Sequence, residues 1–136
     1  MTKCGMLLPD TNAILRYLLR DVPDQYARAE QMFEDVRLGH KQAVIMEGVV
    51  LECLHVMLKY YKIPRRQAAE SLRGLLEYRG IRNEDRDELT AALNRFSITQ
   101  LDFVDCLLAE TAIRRKMEVF TFDAKLSKAI GAKRSA

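Results

Sequence analysis

"CGMLLPDTNAILRYLL", residues 4–19, decides how this chain is read. "CGMLL" has the character of a buried strand, and Pro9 behind it tolerates a strand end while biasing Leu8 toward extended geometry. Asp10, Thr11 and Asn12 follow, and "TNAILRYLLR" then carries the spacing of an amphipathic helix. Strand, acid, helix is the opening of an α/β unit. The acid itself has two compatible uses, as the cap of that helix or as one member of a set of acids gathered by the fold.

The same alternation continues along the chain. After the "DVPD" turn, Tyr26, Ala29, Phe33 and Val36 recur at helical spacing, with Asp24 as the expected cap and Gly39 as a stop signal. "AVIM" is a second short strand. In the helix "EGVVLECLHVMLKYY", Val50, Cys53, Leu54, Met57, Leu58 and Tyr61 share one face, with Glu52 beside it. His55, flanked by Leu54 and Val56, reads as a core histidine. Pro64 opens a helix with Leu72, Leu75 and Leu76 as core candidates, and a weak strand is expected around Ile81. A helix carrying Leu89, Ala92, Leu93 and Phe96 comes next, then the helical "LDFVDCLLAETAIRR". "EVFTF", residues 118–122, is the most strand-like run of all and ends in Asp123 and the short helix "AKLSKAI". Strands alternating with helices predict a parallel sheet covered on both faces.

With 136 residues, 49% of them hydrophobic, and no repeat or Pro/Gly/Ser linker, the expectation is a single domain over residues 1–136. A formal charge of +3 permits a polyanionic partner without demanding one. Cys4, Cys53 and Cys106 lie far apart in apolar segments, which suits reduced, buried thiols and excludes a disulfide framework or zinc spacing. The N-terminal apolar run is too short for a signal peptide, and no run approaches the roughly 20 residues that span a bilayer. A soluble, cytoplasmic protein is expected.

In an open parallel sheet, sites form beyond the carboxyl ends of the strands. Asp10 and Asp123 both stand there. Asp102 and Asp105 share one side of the first turn of a helix, and Glu52 has a side chain long enough to reach back. Each also has a plainer use: a cap for Asp10 and Asp102, a dipole-favoured first-turn acid for Asp105, solvated helix acids for Glu47 and Glu52. Gathered together they would repel, by roughly 4 kcal/mol for a pair about 4 Å apart at an effective dielectric near 20. Such a cluster persists only if protonated, hydrated or neutralised by cations. Oxygen-only ligands select hard ions, Mg²⁺ or Mn²⁺, and such a site suits phosphodiester hydrolysis.

The run "DTN" after the first strand, "LECLHVML" after the second, "LDFVDCLLA" opening a late helix and "VFTFD" closing the last strand resemble the PIN domain. The likeness is closest to the VapC-type ribonuclease toxins of type II toxin-antitoxin pairs. It covers nearly the whole chain in order. It implies a three-layer α/β/α sandwich with a short, mainly parallel sheet of four to five strands. It also implies a quartet of Asp10, Glu52, Asp105 and Asp123 holding one or two Mg²⁺ or Mn²⁺ ions. Thr11 and Asn12 would then orient Asp10, and Thr121 would be the family's site hydroxyl. Asp102 is an auxiliary acid or a helix cap, and Glu47 a weaker candidate. Pro9, Cys106 and His55 depart from the family pattern without removing a ligand.

Basic residues cluster as Lys62, Arg65 and Arg66, as Arg114, Arg115 and Lys116, and as Lys125, Lys128, Lys133 and Arg134. Lys125 and Lys128 are the best placed for RNA phosphates, because their helix starts at Asp123. The absence of tryptophan argues against a base-stacking platform. The resemblance further implies a homodimer and a cognate antitoxin protein, whose peptide would lie in a groove lined by such residues as Ile14, Tyr17, Leu18 and Phe33. Two other readings stand beside the ribonuclease: a catalytically silent PIN-like module that binds RNA or protein, and a phosphatase using Asp10 as nucleophile. The latter wants a second Asp two residues on, where this chain has Asn12.

Overall fold

In the computed structural model, which describes residues 5–134, the opening stretch forms strand β1, Met6–Leu7, and helix α1, Thr11–Leu19. Asp10 between them has extended backbone, and its Oδ1 accepts a hydrogen bond from the Ala13 N–H at 2.9 Å, satisfying one of the helix's orphan donors. Helix α2, Pro23–Leu38, starts differently from the expectation. Val22 is its cap residue and Asp24 lies in its first turn, because Pro23 already presets the entry and the acid gains from the helix dipole instead. Gly39, in the left-handed region at φ 86°, ends it as predicted.

Strand β2, Gln42–Ala43, pairs in parallel with β1, Leu7 opposite Ala43. Ile81 adds a parallel bridge to Ala43, the remnant of the expected weak strand. Gly80 makes that approach possible. A Cβ there would stand 2.1 Å from the Lys41 carbonyl oxygen, while the glycine's own N–H donates to Val36 O and its carbonyl accepts from Ala43 N. Asn83 continues the ladder with its side chain. Its Oδ1 accepts from Ile45 N at 2.9 Å and its Nδ2 donates to Ile45 O at 2.7 Å, so a buried amide stands in for a strand residue.

The remaining helices are α3 (Glu47–Lys59), α4 (Arg65–Leu76), α5 (Arg86–Ile98), α6 (Phe103–Arg115) and α7 (Ala124–Arg134). Their predicted apolar faces pack around the sheet in one core that includes Ile14, Phe33, Val50, Cys53, Met57, Leu72, Leu89 and Cys106. A smaller cluster of Ala109, Leu126 and Ile130, with Val119 against it, joins α6 to α7. Among the described residues no helix is long and apolar enough to cross a membrane.

Three expectations change. The sheet holds two strands and one bridge among the described residues, where four to five strands were predicted, and "EVFTF" is irregular. A run of β-formers specifies extended backbone but not a neighbour. Here Val119 turns to the α6–α7 cluster, leaving Phe120 and Phe122 exposed and packed edge-on to each other at 5.3 Å. His55 is exposed, because helical rotation carries it off the Val50, Cys53, Leu54, Met57 face and in line with Leu51 and Lys59. Ile14, Tyr17 and Phe33 are core, so they line no open groove, and Leu18 alone of that set is partly exposed. Cys4 and the side chains of Lys133 and Arg134 lie outside the described residues.

Candidate acidic site

Asp10 is exposed at the end of β1, fixed by its cap to α1. The Thr11 hydroxyl, expected to orient Asp10, instead donates to Glu52 Oε1 on α3 at 2.7 Å. That bond crosses from the first helix to the third and brings the acid of one beside the acid of the other. Cys53 records the crowding. Its buried thiol is pushed up to about 12, first by burial and then by the charges of Glu52 and Asp10. Asn12 is exposed at the same end of α1 and lines a shallow cleft of 390 Å³ with Asp10, Arg16, Gln25 and Arg28.

The other acids assemble from α6 and α7. Asp123 repeats the Asp10 arrangement at the far end of the chain: its Oδ1 accepts from Leu126 N at 3.0 Å, capping α7, and its own N–H donates to the Thr121 hydroxyl at 3.0 Å. Thr121 therefore holds the backbone of Asp123 through a local turn rather than across a strand. Asp102 is the residue before α6, yet its side chain makes no cap bond, which leaves its carboxylate uncommitted. Asp105, half-buried one turn on, is pushed above the ordinary carboxylate value by burial and by the charges of Asp123 and Asp102.

The chain thus brings Asp10 beside Glu52 and Asp102 and Asp105 beside Asp123. Among the described residues, no three His, Cys, Asp or Glu side chains stand ready-made around one ion position. Carboxylates without a counter-charge spread apart, because each like-charged neighbour costs free energy. The donors are all oxygen, the ligand type that hard cations such as Mg²⁺ or Mn²⁺ prefer over softer metals. Glu47 is exposed in the first turn of α3 and borders a small depression with Val104 and Leu107, apart from the other acids.

Lys125 and Lys128 are exposed on α7 behind Asp123. Of the other cations, Arg66 pairs with Glu70, Arg114 with Glu110 and Arg115 with Glu88, so those charges are already engaged. A pocket of 510 Å³ that the sequence did not announce opens beside Asp102 and Asp105, walled by α3 and α6. The signal for it was present in the spacing of four between Leu51, His55 and Lys59, which the core reading of His55 obscured.

The PIN domain family model matches residues 7–131, nearly the whole chain and all of the acids above. The chain belongs to the PIN domain family. PIN domains are generally nucleases, and a mixed, helix-rich α/β fold with parallel strands is consistent with one. No curated protein and no solved structure matches the chain.

Proposed function

We propose that this PIN domain, spanning residues 1–136, is a metal-dependent endoribonuclease and the toxin of a toxin-antitoxin pair in the cytoplasm. The observation that carries the reading is that Asp105 and Asp123, from separate elements, are folded within electrostatic reach of each other. The repulsion between them opposes folding, and a bound cation would offset it.

In this reading Asp10, Glu52, Asp105 and Asp123 hold one or two Mg²⁺ or Mn²⁺ ions, with Asp102 as an auxiliary oxygen donor. The chemistry such an ion supplies is activation of water and stabilisation of the leaving oxygen in an in-line displacement. The chain's own residues set the frame for it. Thr11 engages one oxygen of Glu52 and so restrains its carboxylate. Thr121 and the α7 cap fix Asp123, and Asn12, exposed at the start of α1, supports Asp10. Lys125 and Lys128 attract the phosphates of an RNA substrate. A homodimer and a cognate antitoxin, its basic side chain neutralising the acids, complete the proposal.

Purified protein should cleave total cellular RNA with Mg²⁺ or Mn²⁺ and not with chelator, and Asp10→Asn and Asp105→Asn variants should lose cleavage. Equal activity in chelator sinks the metal mechanism. The separation of the acids into two groups favours the alternative of a silent RNA- or protein-binding module, and absence of cleavage under every metal condition would select it.

A further inference from the structure

The 510 Å³ pocket adjoins the acid set and is lined by two of its members, Asp102 and Asp105. Helix α3 turns Leu51, Leu54, His55 and Lys59 onto it, and His55 stands one helical turn after Glu52. Helix α6 supplies Phe103 and Val104 together with Asp102 and Asp105. The floor is fixed by Arg65, whose guanidinium lies 3.6 Å over the Phe96 ring and donates to the carbonyls of Phe96 and Leu101. Leu101 immediately precedes Asp102, so the same arginine ties the floor of the pocket to the start of α6.

We propose that this pocket is a nucleotide subsite, receiving one base of the RNA strand whose phosphodiester is cut at the acids; it rests on the nuclease reading. The occupant needs an apolar body for the Leu51, Leu54 and Val104 walls and a negative charge for Lys59 at the rim. It must also continue toward Asp105. A nucleotide within a strand has all three features, and the volume falls within the ~300–1,000 Å³ typical of small-ligand sites. A purely apolar occupant would shut Asp102 and Asp105 from solvent, at a cost in desolvation. The walls are aliphatic, and the Phe103 ring is almost wholly buried, so the base is read by size rather than by stacking.

Cross-linking, cleavage kinetics, salt-dependent binding and amide exchange test it. The Asp10→Asn protein is irradiated with oligoribonucleotides carrying 4-thiouridine, and the cross-linked peptides are mapped. Kinetics of cleavage are then compared for the wild type, Leu51→Trp and Lys59→Ala, with melting curves to confirm that each variant folds. Expected are cross-links within residues 51–59 or at Val104. Leu51→Trp should raise KM roughly tenfold with kcat nearly unchanged and shift the nucleotide preferred next to the cut. Lys59→Ala should lower the salt slope of binding by about 0.7. If the wild type cuts RNA and Leu51→Trp cuts the same positions with the same KM, the subsite falls and the nuclease stands. Cross-linking at the pocket without cleavage by the wild type has the opposite meaning: the pocket binds a nucleotide and the nuclease reading falls. Concentration-dependent protection of the Leu51 and Val104 amides without RNA, with no cross-link there, assigns the pocket to a second copy of the chain and overturns the proposal.

Discussion

Asp10 caps α1 while its neighbour Thr11 donates to Glu52 on α3, whereas Asp105 faces Asp102 and Asp123 as like charges. The first pair is placed by bonds to other groups of the fold. The second group is brought together by the packing of α6 and α7 against the same small cluster, and nothing among the acids themselves offsets their repulsion. One side of the set is therefore tied by a hydrogen bond to a neighbouring helix, and the other is held by helix packing against its own repulsion. Both rest on an identical local device, an aspartate whose Oδ1 caps the helix it precedes, at Asp10 and again at Asp123.

The comparison breaks most decisively if the two sides do not act on one reaction. Asp10→Asn and Asp105→Asn should each lower RNA cleavage by more than about 100-fold, beyond the roughly 10–100-fold typical of losing a supporting residue around a metal. Steady-state cleavage of a fluorogenic RNA measures this. An Asp10→Asn protein with near wild-type activity would leave the α6–α7 acids as the whole site and the first pair as a structural cap. A smaller effect sharpens the contrast between hydroxyls. Thr11→Val removes the one bond to Glu52 and should reduce activity by about tenfold. Thr121→Val, which frees only a backbone N–H in an exposed turn, should cost less. The reverse order would mean that the α7 side, not the α1 side, sets the geometry.

Each side also carries its own buried reporter thiol. Cys53 lies next to Glu52, with its thiol raised to about 12, so at pH 8 only about one part in 10⁴ is thiolate. Cys106, in the turn of Asp105, is also raised by burial, but Thr99, Arg65 and Arg95 pull it back. Both should resist alkylation in the folded protein, Cys53 the longer, as read by peptide mapping of iodoacetamide adducts over time. Faster labelling of Cys53 would show that the tied half opens more often than the repelling one.

Much of this was legible in residues 4–19, because local rules govern a strand-to-helix junction: the cap, the proline and the helical spacing all act within a few residues of Asp10. The helices of the chain were legible for the same reason, through periodicity. The sheet was not. Strand pairing depends on a neighbour distant in sequence, and the β-rich "EVFTF" found none, while Asn83, an ordinary loop residue by composition, took a strand's place through two side-chain bonds. The acids could be named as candidates from the sequence, but how the fold groups them could not. That Thr11 would bond Glu52 rather than Asp10, and that Asp102 would leave its helix uncapped, are settled by side-chain rotamers that no spacing encodes.

The smallest expected effect concerns what holds α6, and with it Asp105, in place. Glu88 in the first turn of α5 accepts from Arg115 Nε at the end of α6 at 2.8 Å, and this bond holds the Glu88 carboxyl below its ordinary 4.5. A depressed carboxylate pKa stabilises the fold above the ordinary value, and that stabilisation is lost as pH falls through the lower, folded value. Because Arg115 is half-exposed and the pair is screened, Arg115→Ala should lower Tm at pH 7 by only roughly 1–3 °C, and less in high salt. The gap between variant and wild type should close as pH drops below the depressed pKa, where Glu88 is protonated in both. Since α6 carries Asp105 and not Asp10, loosening its far end should weaken Mn²⁺ affinity through the repelling half alone. Titration of Mn²⁺ into Arg115→Ala, with and without Thr11→Val, tests this: additive losses keep the two halves independent, whereas a smaller combined loss would mean that α6 and the Thr11 bond position the same acids.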